Sequence, residues 1–431
     1  MTMRTRLLGA ALSLSLLASA GGVFAAQDDT YTAIAEDTAS IRQLELLEPL
    51  DIEFQDRDEL RAWILDEITS SYPEADQAAD LRVMVILGFV DPGTDLGQMQ
   101  IDILGEQIAG YYDPETKQMV VVRSNDGEEL SASDEITFAH ETIHALQDQH
   151  YDLMSLHGDL DAVTDDQGLA LDALTEGDAT VGQIEYLISN PGLLAPLQAE
   201  LGDLDSSELD AAPPVYQKTL LFPYNEGADF VDALHKEGGW EAVDAAYGNL
   251  PQSTEQILHP EKYLAGEAPI EVTLNDPLPA LGQGWQVFDV NTMGEYITAL
   301  FLESHDIDGD AARQAAEGWG GDAYTVVGTD DEDETALVWK SAWDTEEDAR
   351  EFFSVLTRHE LARFDTSPSA NEDGAVRFEG DGVVGEIHRE GSEVFYILAP
   401  NASTLDTIAQ SQEGPGTILT QPVATPDAGS N

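Results

Sequence analysis

Apolar residues along this chain recur first at helical spacing and later at strand spacing. From Ile41 to Phe89 they follow a period near 3.6, with Leu60, Trp63, Ile64 and Ile68 on one face. Asp91-Pro92-Gly93 interrupts the pattern, and Asp95 to Ala109 predicts a further helix. Gly110-Tyr111-Tyr112, the turn Asp113-Pro114-Glu115-Thr116, and Gln118 to Val122 read as a β-hairpin. Two strong helical patterns follow, Ser131 to Leu156 and Gln167 to Ser189, the second stopped by Asn190-Pro191-Gly192. Lys218 to Ala265 holds more helical patterning, centred on Trp240.

Beyond about Gln283 the pattern changes. Ala323–Gly328 and Ala336–Trp343 read as strands, Thr345–Phe364 as a helix, and Ala375–Phe378, Val383–Arg389 and Glu393–Leu398 as strands. The expected fold class is therefore α+β. A mainly helical domain with a small sheet occupies 41–282, and a C-terminal α+β module occupies 283–400. Residues 26–40 read as a loosely ordered polar leader and 401–431 as a disordered tail.

Residues 1–25 have the pattern of a secretory signal peptide. Arg4 and Arg6 precede the apolar run Leu7–Leu17, and Val23-Phe24-Ala25 fits a cleavage site near Ala25. The expectation is a secreted or cell-envelope protein with no membrane span in the mature chain. There is no Cys, so neither disulfides nor a lipoprotein anchor is available. The 18 basic residues, only five of them Lys, face 84 acidic ones, a formal charge of −66. That surface repels nucleic acid and anionic membranes and strains the compact state at low salt. It resembles the surfaces of halophilic proteins, since molar salt shortens the screening length to ~3 Å.

The candidate chemistry lies in His140-Glu141-Thr142-Ile143-His144. On a helix, residues i and i+4 share a face about 6 Å apart, so both imidazoles can point at one ion. Glu141 is rotated away from that pair and is free to hold a water. Phe138, Ala139, Ile143, Ala145 and Leu146 bury this helix, and burying two His without partners is costly. Two His, a third protein ligand and an open position make a catalytic Zn²⁺ site. The best third ligand is Glu176, in Leu174-Thr175-Glu176-Gly177-Asp178-Ala179, where an unpaired carboxylate among Leu and Ala would be expensive and Gly177 permits close helix approach. Glu226, His259 and His150 are rivals; His150 has the metzincin position, but Gln147 stands where that pattern needs Gly.

The combination of His140-Glu141-x-x-His144 with a downstream Glu176 resembles the gluzincin zinc metallopeptidases. The runs His144-Ala145-Leu146-Gln147-Asp148-Gln149-His150, Glu176-Gly177-Asp178-Ala179, Phe222-Pro223-Tyr224 and Ser253 to Pro260 resemble uncharacterised secreted bacterial proteins related to them. The resemblance implies a zincin-like catalytic domain, peptide or protein substrates, and hydrolysis by metal-activated water with Glu141 as general base. Tyr224 and His259, both read as lying in Pro-containing turns, are candidates to stabilise the oxyanion. Asp148 and Asp178 are candidates to accept a ligand His N–H. A second expectation, of another class, is an extracellular or envelope binding protein with a non-catalytic metal site.

Overall fold

The computed structural model describes residues 25–123, 130–157, 163–201, 206–330, 334–370, 374–414 and 416–419. The signal-peptide reading falls on residues 1–24, outside the described residues, apart from its last position. The fold is α+β, with helices around a three-stranded sheet and a seven-stranded one. Among the described residues, no helix is long and apolar enough to cross a membrane.

The small sheet has the order β1-β3-β2. The hairpin forms where the sequence predicts it: β2 (Gly110–Asp113) runs antiparallel to β3 (Gln118–Arg123). Strand β1 (Asp51–Asp56) runs parallel on the other side of β3. The helical pattern of Ile41 to Phe89 spans these residues. Within Asp51 to Asp56, however, Ile52 and Phe54 alternate with Asp51, Glu53 and Gln55, which is a strand period too short to stand out in a longer window.

The large sheet is antiparallel throughout. It comprises β4 (Trp285–Asn291), β5 (Trp319–Thr329), β6 (Thr335–Trp343), β7 (Ser369–Ala370), β8 (Val376–Gly380), β9 (Val383–Glu390) and β10 (Glu393–Ala399), in the order β4-β5-β6-β10-β9-β8-β7. Its two faces follow the strand period. Leu337, Trp339, Tyr396 and Leu398 face the main core, together with Phe352 of the helix Glu346–Arg363. Val338, Ile397 and Ala399 face the other way, against Leu405 and Ile408.

Three expectations need correction. Residues 26–40 are not a loose leader, because Ala25–Arg42 is a helix that buries Tyr31, Ile34, Ala35 and Ala39. The stretch from 401 begins with another helix, Ala402–Gln412, and Ile418 bridges Asn275; only 415 and 420–431 lie outside the described residues. Both segments are polar on average, yet each carries apolar residues at helical spacing that a neighbouring surface buries. Finally, the division at 282/283 does not separate two cores. Leu60, Ile64, Val83 and Met84 share one buried cluster with Phe301, Trp339 and Tyr396. Arg363 Nη2 also donates to the Ile86 carbonyl at 2.8 Å across that division.

Candidate metal centre

The His-bearing helix is Ala132–Tyr151. Ser131 caps it, and Asp134 completes a reciprocal capping box, so acids sit where the helix N-terminus favours them. The second helix, Asp165–Ser189, is capped by Thr164. The two pack antiparallel: Tyr186 hydroxyl donates to Glu135, Ile143 meets Gly182, and Gln147 reaches the Thr175 carbonyl. A Cβ on Gly182 would lie 2.4 Å from Ile143 Cδ1. The third helix is Pro214–Gly238. It crosses the second at two glycines, where a Cβ on Gly177 would lie 2.2 Å from the Gly227 carbonyl oxygen and one on Gly227 would lie 2.3 Å from that of Ala173. No other residue fits there without spreading the helices.

This packing brings His140, His144 and Glu176 together. His140 Nε2 is 3.1 Å from Glu176 Oε2, His144 Nε2 is 3.3 Å from the same oxygen, and the two Nε2 atoms are 3.2 Å apart. A tetrahedral ion at ~2.0–2.1 Å from its ligands spaces them roughly 3.3–3.4 Å apart. The triangle therefore fits one such ion. The three side chains keep 10, 13 and 15% exposure, so none of them is fully sealed from solvent.

Hydrogen bonding sets the His144 tautomer. Gln147 Nε2 donates to the Thr175 carbonyl at 2.9 Å and to Asp178 Oδ2 at 3.1 Å, so its amide oxygen faces the ring. His144 Nδ1 lies 2.9 Å from that oxygen and must carry a proton, so Nε2 is the ring nitrogen left to face an ion. Asp178 is held in turn by Arg42 Nε at 2.6 Å and by the Tyr247 hydroxyl at 2.7 Å. The Arg42 guanidinium is fully buried, contacts Asp244 at 2.7 Å and lies over the Trp240 ring. A chain of contacts thus runs from the N-terminal helix to the imidazole.

Electrostatics agree with the geometry. Burial disfavours charge on His144, but Glu176 outweighs it and lifts the imidazole to about 10. Burial likewise opposes charge on Glu176, yet His144 and His140 hold its carboxyl well below the usual range. Without a metal, this cluster retains a proton that an ion would displace.

Glu141 points off the triangle toward the hairpin, where its Oε2 accepts the Tyr112 backbone N–H at 2.9 Å. Burial raises its carboxyl, opposed by His144 and His140. Among the described residues β2 is an edge of its sheet, so this contact sits beside an unpaired strand edge.

The other sequence candidates distribute unevenly. Tyr224 reaches the cluster: its ring stacks on His140 at 6.1 Å between centroids, and burial, reinforced by the nearby Glu176 charge, raises its hydroxyl well above the ordinary phenol value. It lies within the third helix, which accommodates Pro223 internally, rather than in a turn. His259 is instead bound to Glu295, Nε2 to Oε1 at 2.9 Å, and His150 contacts the Glu45 carbonyl. Glu226 lines a different cavity from the cluster. Asp148 accepts the Tyr112 hydroxyl and is not the acceptor for His144. Sequence reasoning missed Gln147 and Arg42. Gln147 lies one turn from His144 and was legible as a polar residue on a buried stretch. Arg42, 136 residues before Asp178, left no local signal.

A family model described as a domain of unknown function (DUF8575) matches residues 264–409, a segment that follows the His-Glu cluster. No curated protein matches the chain. No solved structure matches it either.

Proposed function

We propose that this chain is a zinc-dependent peptidase of the gluzincin type, exported by its N-terminal segment and acting on peptides or proteins. The observation that carries the reading is the triangle of His140 Nε2, His144 Nε2 and Glu176 Oε2, with edges of 3.1 to 3.3 Å, and Glu141 held to one side of it. Bound zinc would supply Lewis acidity to a water and to the scissile carbonyl.

The remaining work falls to the chain. Glu141 takes a proton from the attacking water and passes it to the leaving amine, and the Tyr112 N–H fixes which carboxylate oxygen stays free to do so. The Tyr224 hydroxyl lies beside the ligands and is the donor best positioned for a developing oxyanion. His259 takes no part, because its ring is committed to Glu295. The edge of β2 offers main-chain groups to an extended substrate. Elemental analysis of the purified protein, paired with a fluorogenic peptide assay in molar salt, tests the reading. One zinc per chain and chelator-sensitive hydrolysis are expected; a chain that holds no divalent metal would overturn it.

A further inference from the structure

On the helix Ala132–Tyr151, Glu141 and Asp148 stand on one face, two turns or roughly 10 Å apart. Tyr112 of β2 is bonded to both. Its backbone N–H donates to Glu141 Oε2 at 2.9 Å, and its hydroxyl donates to Asp148 Oδ2 at 2.9 Å. One residue of the hairpin is thus fastened to the helix twice, by its main chain and by the end of its side chain.

Both attachments follow from local structure. Successive residues of an edge strand turn their N–H groups alternately toward the partner strand and away. Val122 N–H donates to the Ala109 carbonyl, so Tyr111 faces β3 and Tyr112 turns its N–H outward, to Glu141. Side chains alternate as well. Tyr111 stacks on Trp63 at 4.6 Å between centroids, which leaves Tyr112 on the side of the His-bearing helix. Asp148 is itself fixed: it is buried, and its Oδ1 accepts the Leu153 N–H at 3.1 Å where the chain leaves the helix. Burial, reinforced by the Asp148 charge, keeps the Tyr112 phenol protonated and therefore a donor. The other anchors of the hairpin do not reach Glu141. Asp113 accepts the Glu115 N–H at 2.9 Å and the Thr116 hydroxyl at 2.6 Å, all within the turn. Met119 and Val121 share an apolar cluster with Ile136, Phe138 and Ala139, a contact without direction.

We propose that Asp148 is a positioning residue for the general base: by anchoring the Tyr112 hydroxyl it sets where the Tyr112 N–H stands, and that N–H orients Glu141. The catalytic part of this inference rests on the peptidase reading; the brace itself needs no metal. Hydrogen exchange of the metal-free full chain, read by NMR, tests the brace. Tyr112→Phe removes only the hydroxyl, and the amide of residue 112 should exchange about tenfold faster while those of β3 keep their rates. In the zinc-loaded chain the same variant should lose about tenfold in kcat, with KM and zinc content unchanged. Asp148→Ala should act alike, and the double variant should lose no more than either single one. Tyr112→Phe keeps the proposal testable if Asp148→Ala fails to fold. Unaltered exchange at residue 112, unaltered kcat or additive losses would overturn it. So would loss of zinc from Tyr112→Phe, which would put the effect at the ligands instead. A wild-type chain without zinc or hydrolysis would overturn the peptidase reading, and with it the catalytic part given to Asp148.

Discussion

Among the described residues, two groups of ligand-type side chains converge, and they differ in what stands at the centre. His140, His144 and Glu176 turn lone pairs toward a shared point, and the protein's own cation, Arg42, sits behind them, braced through Asp178 and Gln147. Glu255, Glu267 and Asp344 converge just as closely, but Lys262 Nζ occupies their centre at 2.6, 3.1 and 2.6 Å. On the reading proposed above, the first group would gain its stability from a bound ion, whereas the second already holds a cation of the chain's own. Convergence of acids is therefore a poor guide to a metal site in so acidic a protein, and the position of the nearest internal cation is a better one.

Substitutions should separate the two groups cleanly. The largest effect is expected at the ligands: His144→Ala or Glu176→Gln should abolish stoichiometric zinc and reduce peptide hydrolysis to background. Full zinc retention by both variants in elemental analysis would break the comparison. Next, Glu141→Gln should keep zinc yet lose roughly 10²-fold or more in kcat; wild-type turnover in that variant would leave Glu141 a structural role only. Arg42→Lys removes the two-pronged hold on Asp178 and should weaken zinc about 10- to 100-fold, read by competition with a chelator, with KM little changed. An unchanged zinc affinity would mean that the chain from Arg42 to His144 braces nothing.

The Lys262 group should behave in the opposite sense. Lys262→Ala should cost roughly 2–4 kcal/mol of stability by stranding the buried Glu255, while zinc content stays at the wild-type level. Added Ca²⁺ should restore part of the melting temperature, since the vacated centre then resembles an oxygen-ligand site. Loss of zinc in this variant would show that the groups are coupled. The smallest effect is on pH. Burial, partly offset by Lys262, raises the Glu255 carboxyl to about 7. Its folded value lies above its unfolded one, so its stabilising contribution is complete below about pH 4 and disappears as pH rises through about 7. Zinc affinity should run the other way, falling as pH drops because His144 must shed a proton to bind. Parallel trends in zinc affinity and thermal stability between pH 5 and 8 would contradict this contrast.

What was readable beforehand follows how local each feature is. The pair His140 and His144 is readable because a helix repeats its face every four residues, and Ser131 announces that helix through its cap. Glu176 was accessible through an energetic argument, since a carboxylate flanked by Leu174 and Ala179 needs a partner. Pro223 reads as a turn next to Tyr224, because an internal Pro usually ends a helix, yet the helix Pro214–Gly238 runs through it. The partner of His259 is not readable locally, because Glu295 lies 36 residues away. The helix Ala25–Arg42 was misread because its polar average hides the spacing of Tyr31, Ile34 and Ala35.

The sequence by itself determined the α+β class, the hairpin, the succession of strands around one helix, and the placing of His140 and His144 on one helix face. Each of these rests on periodicity or capping within a few residues, where backbone geometry leaves little choice. Only the tertiary structure decided that Arg42 reaches Asp178, that Glu295 rather than the His-Glu cluster holds His259, and that one hydrophobic core runs from Leu60 to Tyr396. These depend on which surfaces bury one another. Burial selects partners by shape and charge across the whole chain, and no short window of sequence records that selection.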